Sequence, residues 1–537
     1  MRGQPVVSVA SADAKRVGGT TWHNVRPMQV TRASLVVALL YAQLGVGGCT
    51  AERDESPGPR LVVLFAPCTV SRHYLGPYNA EVQYTPALTA FAKEGTVFSR
   101  NQTESGQSGI AYASILSGTQ ADRHGVYTHP SRLREGAYLV AEAFAERGFE
   151  THFWSSHEMA AADLGYGQGV RPEHVHDRGQ WDPDKERLTA NDDEFAEILD
   201  RLRKDPSLHV FTQIIFTVTH SPYIDVAPEI LEEFRREFPG EWPDIAEADF
   251  ERARRRYRRQ RPRLEGDLPA LGRERGWTQD DIRNLILTLE VHYKARIWHL
   301  DTLFGRFLGS IRDAGLLDES LIAFTADHGE TLWREHTPMK WSHGLQLSPD
   351  VIQVPLIIRL PGERGLPVYP GVTRSIDVHP TLLGLAGLPL EKDDDRVDGV
   401  DLSAAVRGRE PAPPLKAFSH TVQLNEKMVE WFKGRLIGRF FSSTDVRQIW
   451  TAVRDGDTYV RRCRGENGQW RTEAFDLAAD PAAARDVFDP GDDRLRELER
   501  ELESYKERLV DRYDRLRSPA LPDEEAEERL RSLGYIE

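Results

Sequence analysis

The sequence predicts an α/β fold with a large core and a smaller second unit, and three observations carry that prediction. The apolar runs Leu61-Val62-Val63-Leu64-Phe65-Ala66, Phe211–Phe216 and Leu321-Ile322-Ala323-Phe324 each have the length of a buried strand. Each gives way at its carboxyl end to polar or small residues: Pro67-Cys68-Thr69, Thr219-His220-Ser221 and Thr325-Ala326-Asp327-His328-Gly329-Glu330. The chain is 537 residues long, more than one small domain needs. Ligands of open α/β sheets sit beyond the carboxyl ends of the strands. Asp327 and His328 stand there side by side, and Gly329 permits a close backbone approach, so this turn reads as a metal site.

Composition narrows the classes. Hydrophobic residues make up 40% and aromatic residues 9%, enough for a substantial core. The net charge of −15 argues against nucleic acid as a general partner, so an anionic substrate must be met by local positive charge. Near the N-terminus, Arg32 precedes the apolar run Leu35–Ala42, then Leu44-Gly45-Val46-Gly47-Gly48-Cys49. A basic residue, a short apolar stretch and small residues describe a secretory signal. Val46-Gly47-Gly48-Cys49 resembles the bacterial lipobox, so residues 1–48 are expected to be a lipoprotein signal peptide with Cys49 lipidated. Met28 is a candidate start, because residues 1–27 have no signal character. Residues 49–60 read as a polar tether. The expected address is the periplasmic side of a bacterial envelope, with the membrane a partner through the lipid. Cys68 and Cys463 are then left as a pair that could bridge in an oxidising compartment.

Taken in order, Tyr84-Thr85-Pro86-Ala87-Leu88 opens a helical pattern through Glu94. The small-residue loop Ser105–Gly109 leads into the helix Ile110–Leu116, with Ser108 at the N-cap position and Gly118 at the C-cap. A hydroxyl at a helix N-terminus, beside backbone N–H groups, is well placed to attack an anionic ester. Residues 226–292 read as a charged helical insert containing Arg252-Ala253-Arg254-Arg255-Arg256-Tyr257-Arg258-Arg259, a solvated face or a basic lid. Thr278-Gln279-Asp280-Asp281 starts a further helix. Beyond residue 390 the chain turns to Pro-containing linker, short strands at Arg435–Phe441 and Thr458–Arg462, and an amphipathic helix over Arg494–Arg512.

These blocks come in an order that resembles the sulfatase branch of the alkaline phosphatase superfamily. The resemblance covers roughly residues 60–490. It is carried by Tyr84–Leu88, Ser117-Gly118, Arg123-His124-Gly125-Val126, Thr219–Tyr223, Tyr293–Asp301, Asp327–Glu330, Glu335-His336, His343-Gly344, Val354–Arg359, Ser375–Leu382 and Ala474–Pro481. It implies a large central, mostly parallel sheet sandwiched by helices over residues 61–390, and a small α+β subdomain with a helix over 391–537.

The resemblance also implies a site. Its nucleophile position falls on Ser108, with Thr103 and Ser105 as alternatives. Sulfatases carry Cys or Ser there within a Cys/Ser-x-Pro-x-Arg pattern that directs conversion to formylglycine. Here Ile110 and Tyr112 stand at the Pro and Arg positions, and Thr119 replaces a second arginine. The first-strand metal ligand is usually acidic and is here Cys68, a good donor for Zn²⁺ and a poor one for Mg²⁺ or Ca²⁺. His73 replaces a second acid of that loop. One divalent metal (Zn, Mn, Ca or Mg) on Asp327, His328 and Cys68, near Ser108, is therefore expected. His220 and His343 are the catalytic histidines and His336 and Lys340 substrate-binding residues, while His124, His157 and His379 are expected to be structural.

The expected activity is metal-dependent cleavage of a phosphate or phosphonate ester by a serine nucleophile, as hydrolase or transferase. The substrate is an anionic ester of a small molecule, lipid or glycan. The alternatives are a sulfatase tolerating a degenerate motif and a non-catalytic envelope binding protein of the same fold.

Overall fold

The computed structural model describes residues 58–127, 131–177, 192–220, 223–264, 268–332, 341, 343–344, 346–392, 394–422, 449–464, 469–516, 524–525 and 528–529. The chain divides into Met1–Ser56 and Pro57–Glu537. The first unit, on which the expected signal peptide and the expected lipidation at Cys49 fall, lies outside the described residues.

The first sheet of the second unit contains β1 (Leu61–Phe65), β2 (Thr96–Gln102), β3 (Glu150–Ser155), β4 (Val175–Asp177), β5 (Val210–Ile215), β6 (Ser320–Thr325), β7 (Leu356–Arg359) and β8 (Val368–Arg374). They lie in the order β4-β3-β5-β1-β6-β7-β2-β8. Only β7 runs antiparallel to its neighbours. The expected mostly parallel sheet is therefore present. β1 reads as an unbroken apolar run because both its faces are covered. Val63 and Phe65 join one core, where Phe65 meets Phe304 edge-on at 5.0 Å and stacks on Phe324 at 5.7 Å. Val62 and Leu64 join the opposite core with Tyr112, Ile115 and Phe144.

The helix Gln279–Asp313 is capped as the sequence predicts, by Thr278 and Asp281. It starts inside the expected insert and runs on through 35 residues, so the insert has no structural end at 292. Beyond its midpoint, buried Asp301 accepts hydrogen bonds from the backbone N–H groups of Ala87 (2.9 Å) and Leu88 (2.7 Å), capping the helix Pro86–Glu94. Three arginines of the basic run are ion-paired: Arg252 with Asp249, Arg254 with Glu251 and Arg256 with Asp281.

A second, antiparallel sheet has the order β12-β11-β10-β9, from β9 (Lys416–Val422), β10 (Ile449–Asp455), β11 (Thr458–Arg464) and β12 (Trp470–Asp476). The amphipathic helix Asp493–Leu516 packs Leu495, Leu498 and Leu502 on Val453, Val460 and Ala474. The segment expected as a strand at 435–441 lies outside the described residues. This sheet is stitched to the first at the end of β2. Gln102 Nε2 donates to the Ala417 carbonyl (3.2 Å), Ser419 Oγ to the Thr103 carbonyl (2.6 Å), and the His420 N–H to the Glu104 carbonyl (2.8 Å). Cys68 and Cys463 are both buried free thiols, so the bridge considered from sequence is not formed. No helix among the described residues is long and apolar enough to cross a membrane.

Burial outweighs the two N–H bonds to Asp301 and raises its pKa to about 7. A carboxyl raised this way contributes its stability fully below the unfolded value of about 4 and loses it as pH rises through the folded value. Asp301→Asn should therefore gain stability relative to wild type as pH goes from about 4 to about 8, read by chemical denaturation. Asp301→Ala, which uncaps the helix, should cost about 1–2 kcal/mol.

Candidate active site

Register sets the site. Phe65 of β1 lies opposite Ile214 of β5 and Phe324 of β6, so three strands end level. The ladder continues into the loops: the Cys68 N–H donates to the Phe216 carbonyl (2.6 Å) and the Val70 N–H to the His328 carbonyl (2.9 Å). Asp327 Oδ1 accepts from the Thr69 N–H (2.9 Å) and the His328 N–H (2.7 Å), locking the first and last of these loops together. Thr69 takes a left-handed φ of 60°, a backbone cost on the order of 1 kcal/mol that the surrounding bonds impose. Tyr293 holds both sides of it, donating to the Thr69 carbonyl (2.8 Å) and accepting from the Ser71 N–H (3.0 Å).

Ser108 enters from the helix Ser108–Ser117, every residue of which is buried. Gln107, in extended conformation, occupies the N-cap position, so Ser108 is the first helical residue and not the cap. Gly118 closes the helix at φ 64°, as expected. Ser108 Oγ lies 3.0 Å from His328 Nε2 and 3.6 Å from Cys68 Sγ. The alternative Ser105 is engaged in its own loop, where its Oγ accepts from the Gln107 N–H at 3.3 Å. Ile110 is core. Tyr112 donates to the Ala66 carbonyl at 2.9 Å, and Thr119 Oγ1 pairs with Ser117 Oγ at 2.7 Å. The positions that departed from the sulfatase pattern thus carry packing and hydrogen bonds internal to this fold.

Four imidazoles surround Ser108 and Cys68. His328 donates from Nδ1 to the Gly329 carbonyl (2.9 Å), leaving the Nε2 lone pair facing Ser108. His343 stacks on His328 at 4.3 Å, and His220 meets His343 edge-on at 5.1 Å. The fourth, His157, was expected to be structural and is not peripheral. Its Nδ1 accepts from the Met159 N–H (3.1 Å), so its Nε2–H is directed at Cys68 Sγ, 3.3 Å away. His157 lies two residues beyond the end of β3, the same position relative to the sheet that marked the other loops. His124, bonded to Ser114, and His379, packed under Gly118, are structural as expected.

Glu330 is a site residue to which the sequence alone assigned no role. Its Oε2 accepts from Tyr223 and lies 3.1 Å from His343 Nδ1. Burial raises the Glu330 carboxyl to about 8 and pushes His343 well below the usual imidazole range, so both are driven toward neutrality.

Cys68, Asp327 and His328 each offer one donor atom, all within 4.8 Å of one another and all buried. Asp327 Oδ2 is buried, accepts no hydrogen bond and lies 3.3 Å from His328 Nε2, so both atoms face this cluster. The sulfur, nitrogen and oxygen set fits a borderline divalent ion such as Zn²⁺. Burial, then the Asp327 charge, raises the Cys68 thiol well above its ordinary value, so a metal must displace that proton. His73 is paired with Asp350 at 3.4 Å. His336 and Lys340 lie outside the described residues.

A family model described as Sulfatase matches residues 61–388. The chain belongs to the sulfatase family. Within it, the chain is 25% identical to the choline-sulfatase of Rhizobium meliloti over 373 residues, covering 63% of this chain and 69% of that protein. Similar solved structures include a 2-O GAG sulfatase (TM-score 0.57, 17% identity, 89% of this chain and 96% of that one). Another is the phosphonate monoester hydrolase of Agrobacterium radiobacter (TM-score 0.55, 19% identity, 86% and 97%). At those identities the structures bear on the fold alone. This sulfatase-family hydrolase thus has the sheet of its structural relatives, and Asp327 and His328 stand at its carboxyl end beside Ser108.

Gly329 is required by contact: a Cβ there would lie 2.0 Å from the Asp350 carbonyl oxygen. Gly329→Ala should lower stability by about 1–3 kcal/mol and displace His328, so turnover falls together with the denaturation midpoint.

Proposed function

We propose that this sulfatase-family hydrolase cleaves phosphate or phosphonate esters, with Ser108 as an unmodified nucleophile. One observation carries the reading: buried Ile110 and Tyr112 fill the positions of the formylglycine-directing Pro and Arg, while Ser108 remains against His328 Nε2 at 3.0 Å. An unmodified serine suits phosphorus. A phosphoserine can be attacked again at phosphorus, whereas a serine sulfate has no aldehyde hydrate from which sulfate can be expelled.

Asp327, His328 and Cys68 would hold one divalent metal. When bound, it lowers the pKa of the Ser108 hydroxyl and offsets charge on the ester's non-bridging oxygens. Ser108 gives up its hydroxyl proton to solvent, and its Oγ attacks phosphorus in line, forming the O–P bond as the bond to the leaving oxygen breaks. His220 and His343 hold the non-bridging oxygens, and one of them protonates the leaving alkoxide. Glu330 fixes the ring of His343 through Nδ1. Water, or an acceptor alcohol, then frees Ser108. The substrate class is an anionic ester of a small molecule, lipid or glycan. Sulfate-ester hydrolysis is the second reading, favoured by the named activity of the choline-sulfatase relative.

Ser108→Ala should lower aryl-phosphate turnover by on the order of 10³-fold or more. Mass spectrometry of the peptide around Ser108 should show an unmodified side chain; an aldehyde there, with sulfate esters turned over, overturns the reading. Asp327→Asn should lose bound metal and turnover together. We also propose an envelope lipoprotein anchored through Cys49. Cys49→Ser should then release the protein from membranes and abolish labelling by fatty-acid analogues.

A further inference from the structure

A second cluster of ligand-type side chains lies apart from the catalytic pocket, at the sheet edge. Along β3 the alternation of a strand puts Glu150, His152 and Trp154 on one face. β4 pairs with β3 so that His176 lies opposite Trp154, which brings His174 beside His152. The rings of His152 and His174 stack at 4.1 Å. Glu150 Oε1 lies 2.8 Å from His152 Nε2. Glu150, His152 and His174 each offer a donor atom, all within 4.8 Å of one another. His174 Nδ1 is buried and has no hydrogen-bond partner.

Within the cluster, His152 Nε2 faces Glu150 Oε1 and its Nδ1 faces His176 Nε2 at 3.4 Å, while His176 Nδ1 lies 2.9 Å from Glu194. The buried Nδ1 of His174 makes no hydrogen bond, and a cation held between His174, His152 and Glu150 would satisfy it.

We propose that Glu150, His152 and His174 form a second divalent transition-metal site, which clamps the edge strand β4 to the sheet. His176 and Glu194 would orient His152 from behind, the arrangement by which a carboxylate fixes a metal-ligating imidazole. Two nitrogens and one carboxylate favour Zn²⁺, Co²⁺, Ni²⁺ or Cu²⁺ over Mg²⁺ or Ca²⁺. Bonds of 2.0–2.1 Å in a tetrahedral shell put ligand atoms roughly 3.3 Å apart, so Glu150 and His152, 2.8 Å apart, must open slightly, and His174 must turn out of its stack on His152 to aim a ring nitrogen at the same ion. Arg201 opposes the ion: it grips Glu150 with two bonds of 2.7 Å and must yield one. Its side chain is 41% exposed and has solvent to turn into.

The two sites differ by a sulfur, which makes them separable. Titrating the full chain with Co²⁺ should give two equivalents. One carries the near-ultraviolet charge-transfer band of a thiolate ligand, from Cys68; the other gives visible bands alone. His174→Ala should lose the second equivalent and keep the first, together with wild-type aryl-phosphate turnover, which also reports an intact fold. His174→Gln serves if the alanine variant does not fold. In Cys68→Ala the equivalent without the thiolate band should persist. A wild-type chain that binds no such equivalent, or a folded His174 variant that still binds it, overturns the proposal. A single equivalent without the thiolate band, lost in His174→Ala, supports it even if the catalytic reading fails.

Discussion

The parallel pairing of β1 with β5 and β6, in a register that ends all three strands level, is the constraint on which the pocket depends. Because the ends are level, the loops leaving them can hydrogen-bond to one another before they diverge. Backbone bonds from Cys68 to Phe216 and from Val70 to His328 do this. Asp327 then needs one carboxylate oxygen to fasten Thr69 to His328, and its other oxygen remains for a ligand. A one-residue slip of β6 would turn Phe324 off its stack with Phe65 and move Asp327 out of reach together. Core packing and ligand placement are therefore one specification.

The pocket's chemistry follows from what can be buried without a counterion. An imidazole can be buried in its uncharged form, and here His328, His343, His220 and His157 pack ring against ring, stacked or edge-on. Ammonium groups in that place would each need a partner. The pair Glu330–His343 takes this furthest, with burial driving both members toward their uncharged forms. An arriving anion changes the balance, since it favours a proton on the imidazole that faces it.

How much of this was legible in the sequence depended on how strongly burial wrote itself into each strand. β1, β5 and β6 are covered on both faces, and their apolar runs marked three of the loops that build the site. β3 carries Glu150 and His152 on the face that builds the edge cluster, so its apolar signal is broken and it went unread. With β3 unread, nothing marked His157 as lying beyond a strand end, and it looked like any other histidine. Ser108 was off by a single position, because a small polar residue suits both the cap and the first helical turn. Glu330 could not be assigned, since its partners Tyr223 and His343 are distant in sequence and meet only in the folded chain. The insert boundary failed for a simpler reason: the helix Gln279–Asp313 has no break to read.

The seam between the two sheets has a mechanical consequence. The family match ends at residue 388, yet the loop that presents Ser108 is bonded through Gln102, Thr103 and Glu104 to Ala417, Ser419 and His420. Gln107, next to Ser108, adds a bond from its Nε2 to the Gly344 carbonyl, which Thr421 Oγ1 also contacts. The second sheet is therefore a wall of the mounting of Ser108 and not an appendage hung from a finished core. A change in how that sheet sits, whether from drift in its sequence or from a ligand on its surface, reaches Ser108 through a few hydrogen bonds. The part of the chain that the family pattern leaves unmatched is thus a lever on the part it matches.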